Sequence, residues 1–257
     1  MNENSEEYSL KLENEKYYYR RIDHDSFFLR KVFFGKAWME SVDLTASRTI
    51  FGTGCLKGGS LLFITDEGEV EIAEGDFGMF IPPFSIYRCR GAFESIELSL
   101  LVSAKDLYNK CPSAAAIFPT DGDVFFGEES QVDKLLTLFD NRIPFRQGMS
   151  PDIKAAEARK MIEAEYEELT EVSEIAGRLG LENWELSRIF KKSFGIGPLR
   201  YLNNLRTNEA VYRILDSGKN SKIIDIAFNV GFRDLSRFNK QFRKFTRFIP
   251  RNLYPKK

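Results

Sequence analysis

The sequence predicts an α+β chain of two unlike parts: a β-rich first half that closes as a small barrel or jelly roll, and an all-helical final third. Three observations carry this. Residues 17–102 hold short apolar or alternating runs broken by Gly, Pro and Asp. Beyond residue 170 the apolar positions recur at helical spacing, and the pattern occurs twice. The charge is split as well: residues 171–257 carry 18 Lys and Arg against 8 Asp and Glu, a net of +10, whereas residues 1–170 carry a net of −11. Such a division fits one half that meets a polyanion and one that does not.

The bulk properties exclude several classes. A length of 257 residues suits two modest domains, and 43% apolar with 29% charged residues is ordinary for a water-soluble chain. The start, Met1 to Glu7, is acidic and polar rather than a basic segment leading into an apolar run, so no secretory signal is expected. No run reaches the roughly 18–20 apolar residues of a membrane-spanning helix, and the expected location is the cytoplasm without a membrane partner. Cys55, Cys89 and Cys111 lack CxxC spacing and read as reduced thiols. His24 is the single histidine and precedes the expected barrel, so no metal, cofactor or nucleophile–base pair is expected, and the chain does not read as an enzyme.

In chain order, strands are expected at Phe27–Phe34, Ser60–Thr65, Glu69–Ala73, Gly78–Ile81 and Ser95–Val102. A helix at Gln131–Asn141 would align Val132, Leu135, Leu136 and Phe139 as one apolar stripe. Asn141–Pro151, with Gly148 and two prolines, reads as a linker, and a helix over Asp152–Glu168 opens the second domain. The expected domains are therefore 1–145 and 152–257.

The repeat lies within 172–194 and 223–245. Ile175-Ala176, Gly180-Leu181 and the run Leu186 to Lys192 are matched by Ile226-Ala227, Gly231-Phe232 and Phe238 to Lys244. Pro198 and Pro250 close the two units. A small Ala allows two helices to approach closely, and a Gly at positive φ ends the first helix sharply. This is the plan of a helix-turn-helix, whose second helix enters the major groove of DNA. Between the units, Leu199–Ser217 reads as a linker helix with Leu202, Leu205, Ala210, Ile214 and Leu215 on one side and Gly218 as its stop. It would span about 30 Å at roughly 1.5 Å per residue, so both second helices could reach successive grooves.

From about Ile162 to Tyr254 the chain resembles the DNA-binding domain of AraC/XylS-type transcription regulators. Leu186 to Pro198, Asp225 to Phe232, Phe238 to Arg243 and Pro250 to Tyr254 carry the resemblance. It departs from the family pattern at Arg247, where Gly is usual, and at Leu235-Ser236-Arg237, where Gln-Ser-Tyr is common. These differences imply that the second unit reads a different base pattern, or reads bases less.

The first reading helix is expected at Asn183–Phe194, with Asn183, Trp184, Ser187 and Arg188 facing outward beside Glu185. Arg188 has the fork that bridges guanine O6 and N7. Trp184 either presses on a thymine methyl or sugar, or packs on Leu181 or the other domain. In the second unit the outward set is Ser236, Arg237 and Lys240, with Asp234 as N-cap. Lys191, Lys192, Arg243 and Lys244, toward the helix ends, suit phosphates.

Glu74 to Phe84 resembles the cupin-like sensor domain found in this family, in which a Gly-Asp turn leads into a strand ending in Pro. A barrel of this kind suggests a small-molecule effector site lined by Trp38, Phe63, Phe80, Tyr87, Arg88 and Arg90, the arginines being suited to an anion. The stripe on Gln131–Asn141 either pairs two subunits or packs on its own barrel. The resemblance implies an effector-responsive regulator, an activator that meets promoter DNA and RNA polymerase, with a homodimer as one possible state. Two other readings stay open: a sensor-less regulator whose first domain only dimerises or binds a protein partner, and an enzymatic barrel with a DNA-binding tail.

Overall fold

A computed structural model describes residues 7–12, 15–21, 26–34, 39–103, 114–120, 134, 137–148, 150–217, 221–246 and 248–253. Side chains are described from residue 43 onward within these ranges, except those of Phe139 and Asp140, and before it at Leu29 and Ser41 only. The chain divides into one compact unit within residues 1–148 and a second within 149–254.

Among the described residues the first unit is an antiparallel sheet of ten strands. These are β1 (Glu7–Leu12), β2 (Glu15–Arg21), β3 (Ser26–Phe34), β4 (Met39–Leu44), β5 (Thr49–Ile64), β6 (Gly68–Ile81), β7 (Ile86–Ala92), β8 (Ser95–Ser103), β9 (Ala116–Pro119) and β10 (Arg146–Gln147). The long β5–β6 hairpin organises it. The first part of β5 pairs with β8 from Thr49↔Ser103 to Lys57↔Ser95, and its last part pairs with β7 from Ser60↔Ala92 to Ile64↔Arg88. Strands β3, β2 and β1 extend the sheet beyond β8, while β4 lies beyond β7. One bent strand thus passes between two strand groups, as happens where strands switch sheets at a bulge.

Gly58 and Gly59 make the bend. Their φ values are 68° and 148°, and a Cβ on Gly59 would lie 2.0 Å from the Ala92 carbonyl oxygen. Opposite them, Glu94 N–H donates to the Lys57 carbonyl at 2.9 Å, holding the β7–β8 corner against the β5 corner. The core is lined by Phe51 and Phe80, whose ring centroids lie 4.9 Å apart, with Leu56, Phe63, Leu101 and Phe118.

Three of the strand expectations join longer elements. Ser60–Thr65 is the end of β5, Glu69–Ala73 and Gly78–Ile81 are both parts of β6, and the Glu74-Gly75-Asp76 turn is a bend within that strand. Part of the expected linker also belongs to the sheet. Ile143 N–H donates to the Ile117 carbonyl at 2.8 Å, and Arg146-Gln147 pair with Glu69-Gly68. Apolar Ile143 and Phe145 outweigh the turn residues around them, and Phe145 meets Phe63 edge-on at 6.4 Å.

The second unit has six helices: α1 (Ile153–Glu165), α2 (Val172–Arg178), α3 (Asn183–Phe194), α4 (Pro198–Ser217), α5 (Ile223–Asn229) and α6 (Leu235–Thr246), followed by a short 3₁₀ turn at Pro250–Leu253. Asp152 caps α1, accepting from the amides of Lys154 and Ala155 at 2.9 and 3.2 Å. Pro198 starts α4, where a missing N–H costs nothing and its fixed φ suits the helix. Among the described residues no helix is long and apolar enough to cross a membrane.

Helix α4 differs from its amphipathic expectation, because polar residues are buried along it as well. Asn203, Arg206, Thr207 and Glu209 are buried beside Tyr201, Leu202, Leu205, Ala210 and Ile214. Thr207 donates to the Asn203 carbonyl at 2.7 Å, and Glu209 pairs with Arg213 at 3.2 Å. Arg206 donates from Nε to the Tyr166 carbonyl at 2.7 Å and from a terminal nitrogen to the Leu169 carbonyl at 2.6 Å.

The sequence repeat becomes a repeated turn. Leu181 N–H donates to the Ala176 carbonyl at 2.9 Å and Gly180 N–H to the Gly177 carbonyl at 3.1 Å. In the second pair Phe232 donates to Ala227 at 3.0 Å and Gly231 to Phe228 at 2.9 Å. Both are Schellman closures with glycine in the left-handed position, φ 63° at Gly180 and 92° at Gly231.

Their surroundings differ. Nothing lies within 4 Å of a Cβ built on Gly180, whereas one on Gly231 would sit 2.5 Å from the Glu167 carbonyl oxygen and 2.7 Å from Arg206 Nε. Gly180→Ala is therefore expected to cost only the left-handed backbone, about 1 kcal/mol. Gly231→Ala adds a steric clash and is expected to cost about 2–4 kcal/mol. Chemical denaturation of both full-length variants, followed by helical circular dichroism, checks the order. Equal costs would contradict the close approach at Gly231.

Candidate nucleic-acid interface

Two helices, α3 and α6, present the expected outward faces. Glu182 is the N-cap of α3 and forms a reciprocal capping box with Glu185, whose carboxylate accepts from the Glu182 amide at 3.0 Å. Gly195, at φ 77°, closes the helix. The apolar side, Leu186, Phe190 and Phe194, is buried, with Phe190 against Phe194 at 4.7 Å and against Tyr201 of α4 at 5.6 Å. Full burial of each such side chain contributes roughly 1.5–3 kcal/mol, and it fixes which side of α3 faces water.

That outer side carries Asn183, Trp184, Ser187, Arg188, Lys191 and Lys192, all exposed. Trp184 is 63% exposed rather than packed on Leu181, and the Arg188 guanidinium lies 5.7 Å from its ring centroid. A cation over an indole face restrains both groups. The pair therefore stands as one preformed feature near the start of the helix.

In α6, Asp234 caps the helix as expected, accepting from the amides of Ser236 at 3.1 Å and Arg237 at 2.8 Å. Phe238 and Phe242 are buried, with Phe232 stacked edge-on at 5.3 Å from Phe238. Ser236, Arg237, Lys240, Arg243 and Lys244 are exposed on the other side.

The structural landmarks keep the register in which the sequence aligns Leu186–Lys192 with Phe238–Lys244. Leu186 and Phe190 correspond to Phe238 and Phe242, and the N-caps Glu182 and Asp234 then coincide. Trp184 corresponds to Ser236, Glu185 to Arg237, Ser187 to Asn239 and Arg188 to Lys240. Asn239, exposed and equivalent to Ser187, belongs to the outward set although the sequence reading passed over it. The paired phenylalanines were the signal that could have found it. An Asn amide has the donor and acceptor needed for adenine N7 and N6.

The proposed effector set does not gather on one face. Phe63 and Phe80 are buried, and Tyr87 lies 5.5 Å from Phe63, ring to ring. Along β7, however, side chains alternate, and Phe63 pairs in register with Cys89. Arg88 and Arg90, opposite Ile64 and Leu62, therefore lie on the other face from Tyr87 and Cys89. Trp38, Val132, Leu135 and Leu136, and the side chain of Phe139, lie outside the described residues, as do Gly218 and Arg247. Among the described residues no group of three His, Cys, Asp or Glu side chains could hold a metal ion.

A pair of short helices joined by a glycine turn, with a polar and basic face on the second helix, defines the class of helix-turn-helix DNA-binding domains. A family model described as a helix-turn-helix domain matches residues 175–254. The transcriptional regulator ArgR of Pseudomonas aeruginosa is 32% identical over 111 residues, covering 43% of this chain and 33% of its own length. The transcriptional activator RhaS of Pectobacterium carotovorum is 38% identical over 88 residues, 34% of this chain and 31% of its own. The chain thus spans about a third of the curated relatives it matches. Among solved structures, the C-terminal domain of the response regulator AraT from Geobacillus stearothermophilus is 26% identical, covers 40% of this chain and 84% of its own, and has a TM-score of 0.36. Fatty-acid-bound ToxT from Vibrio cholerae is 16% identical over 91% of this chain and 97% of its own, with a TM-score of 0.47. The similarity lies in the C-terminal segment, which matches a helix-turn-helix domain and resembles the corresponding part of the transcriptional regulators ArgR and RhaS.

The geometry of α3 gives a direct prediction. Arg188→Ala is expected to erase preference at one base pair, a loss of about 1–3 kcal/mol of discrimination, whereas Lys192→Ala lowers affinity for all sequences alike. Binding to a panel of duplexes substituted one position at a time checks this. A uniform loss with Arg188→Ala would remove it from the reading set.

Proposed function

We propose that the protein is a sequence-specific regulator of transcription that binds promoter DNA through both helix pairs, with α3 and α6 as the two reading helices. The observation that carries this is the repetition, in structure as in sequence, of one capped, Schellman-closed helix pair with an exposed polar and basic face. The helices of the second unit are joined by α4, a helix of 20 residues, which keeps the two faces at a fixed separation. Residues Asn183, Trp184, Ser187 and Arg188 read bases in the first half, and Ser236, Asn239 and Lys240 face them in the second. Lys191, Lys192, Arg243 and Lys244 meet phosphates.

The first unit is then the regulatory part, a cupin-like barrel of residues 1–145 that senses a small-molecule effector. The bent β5–β6 hairpin supports that architecture, since it joins two strand groups through a glycine corner. Effector binding shifts the arrangement of domains or subunits, and with it DNA occupancy or contact with RNA polymerase. Such a shift requires unequal affinity for the two arrangements. The sign of regulation is activation, the action named for RhaS.

A second reading, in which this unit only dimerises or binds a protein partner, is favoured by one observation. The arginines expected to hold an anionic effector lie on the opposite face of β7 from Phe63's neighbours Tyr87 and Cys89.

Salt-titrated selection of genomic DNA fragments by the full-length protein tests the central reading. An enriched motif of two half-sites about one helical turn apart is expected, and it should lose its preference at one base pair of the first half-site with Arg188→Ala. Absence of binding at low salt would overturn the reading. A screen of small molecules for a rise in melting temperature separates the two versions of the first unit, because a ligand of the native state must raise it.

A further inference from the structure

The two reading helices begin in opposite electrostatic surroundings. In the first pair, the glycine turn runs Gly180-Leu181 directly into the N-cap Glu182, and Glu185 follows in the first turn of α3. In the second pair one more residue intervenes, Arg233, between Phe232 and the N-cap Asp234, and the position of Glu185 is taken by Arg237. Both arginines are exposed. Arg233 is not a loose side chain: a terminal nitrogen donates to the Thr170 hydroxyl in the segment that follows α1. Beneath them, Arg206 is buried and spends its donors on the neutral carbonyls of Tyr166 and Leu169, while Gly231 at the base of the same turn packs against its guanidinium.

Three cations therefore act on one another near the start of α6, where the carboxylate of Asp234 is occupied by the amides of Ser236 and Arg237. Burial first, and then the charges of Arg237 and Arg233, pull the Arg206 guanidinium down to about 10. Their mutual repulsion is relieved by an anion. The corresponding end of α3, with Glu182 and Glu185, repels one.

We propose that Arg233 and Arg237, with Arg233 held by Thr170, form a binding site for one backbone phosphodiester of DNA at the start of the second helix pair. The inference rests on the DNA-binding reading above and divides labour within it. The Trp184–Arg188 feature of α3 reads sequence, whereas the entrance of α6 anchors the backbone. Arg237 is thereby moved from base reading to phosphate binding. Two guanidinium forks suit a phosphate group better than a base edge, since each can offer paired donors to its oxygens.

The test compares full-length wild type, Arg233→Ala, Arg237→Ala and Arg188→Ala on a duplex carrying the selected motif and on a scrambled duplex, across a salt series. Each of Arg233→Ala and Arg237→Ala is expected to reduce the slope of log affinity against log salt by about one. Both should weaken the two duplexes by the same factor and leave the position-by-position base preference unchanged. Arg188→Ala should do the reverse, lowering only the motif's advantage. Arg233→Lys and Arg237→Lys should restore the slope, which separates loss of charge from loss of fold.

An unchanged slope, or loss of preference at particular base pairs with Arg237→Ala, would overturn the assignment while leaving the DNA reading intact. Failure of the wild type to bind either duplex at low salt would overturn both. If inorganic phosphate at matched ionic strength raised the wild-type melting temperature but not that of Arg233→Ala, the site would belong to free phosphate instead of DNA.

Discussion

The helical unit depends on one buried guanidinium. Arg206 sits midway along α4 and reaches the carbonyls of Tyr166 and Leu169, which the end of α1 leaves without helical partners. A neutral side chain there would strand two buried acceptors, each worth about 1–3 kcal/mol when unsatisfied. The same few residues meet the second helix pair: Gly231 packs on the Tyr166 and Glu167 carbonyls, Arg213 pairs with Glu167, and Arg233 with Thr170. The first helix pair reaches α1 from its other side, through Arg178 to Glu165 at 2.6 Å and Lys154 Nζ to the Leu179 carbonyl at 3.0 Å. Residues 165–170 are the common floor on which both pairs stand.

This floor explains why Gly231 is tightly enclosed and Gly180 is not, although sequence and hydrogen bonding make them equivalent. The second turn lies against backbone, so a side chain has nowhere to go; the first turn faces open space. Further up α1, Tyr201 donates to Glu163 at 2.5 Å, and Arg159 joins Glu163 at 2.6 Å while covering the Phe194 ring at 5.4 Å. The Tyr201 hydroxyl is held well above its usual range by burial first and then by the Glu163 charge. It therefore remains a donor at any ordinary pH. Polar bonds of this kind make one packing of α4 preferable to a slipped one, because a slip would part Tyr201 from Glu163 and Arg206 from the Tyr166 and Leu169 carbonyls.

The helical third was legible because its information is local. Periodicity, a turn glycine and a capping side chain all lie within a few residues, and the repeat supplied the same message twice. What stayed hidden is what depends on residues far apart in sequence. Arg206 reads as one more basic residue on an amphipathic helix, and nothing near it announces carbonyls 37 and 40 positions away. The sheet was less legible for a related reason. Its organising strands β5 and β6 carry glycines at their bends, and a glycine inside a strand pattern reads as the end of the strand. The candidate effector residues illustrate the cost: Tyr87, Arg88 and Arg90 look like neighbours, but a strand sends alternate side chains to opposite faces.

The duplication itself sharpens the argument about function. Two copies of one helix pair under equal demands would keep similar charges at equivalent positions. Here the buried side is kept, Leu186 and Phe190 answering to Phe238 and Phe242, while the outer side diverges from Glu185 to Arg237 and from Trp184 to Ser236. These outer positions are exposed or half-buried and little constrained by packing, so the change of charge there reflects what the outer faces meet. A capped acidic entrance with a Trp–Arg feature suits a helix that approaches base edges and keeps its distance from phosphates. A cationic entrance fixed to the floor by Thr170 suits one that holds the backbone. Phosphate contacts set register and orientation without carrying sequence information, so the entrance of α6 positions the protein and leaves discrimination to α3 and to the remaining outward residues of α6.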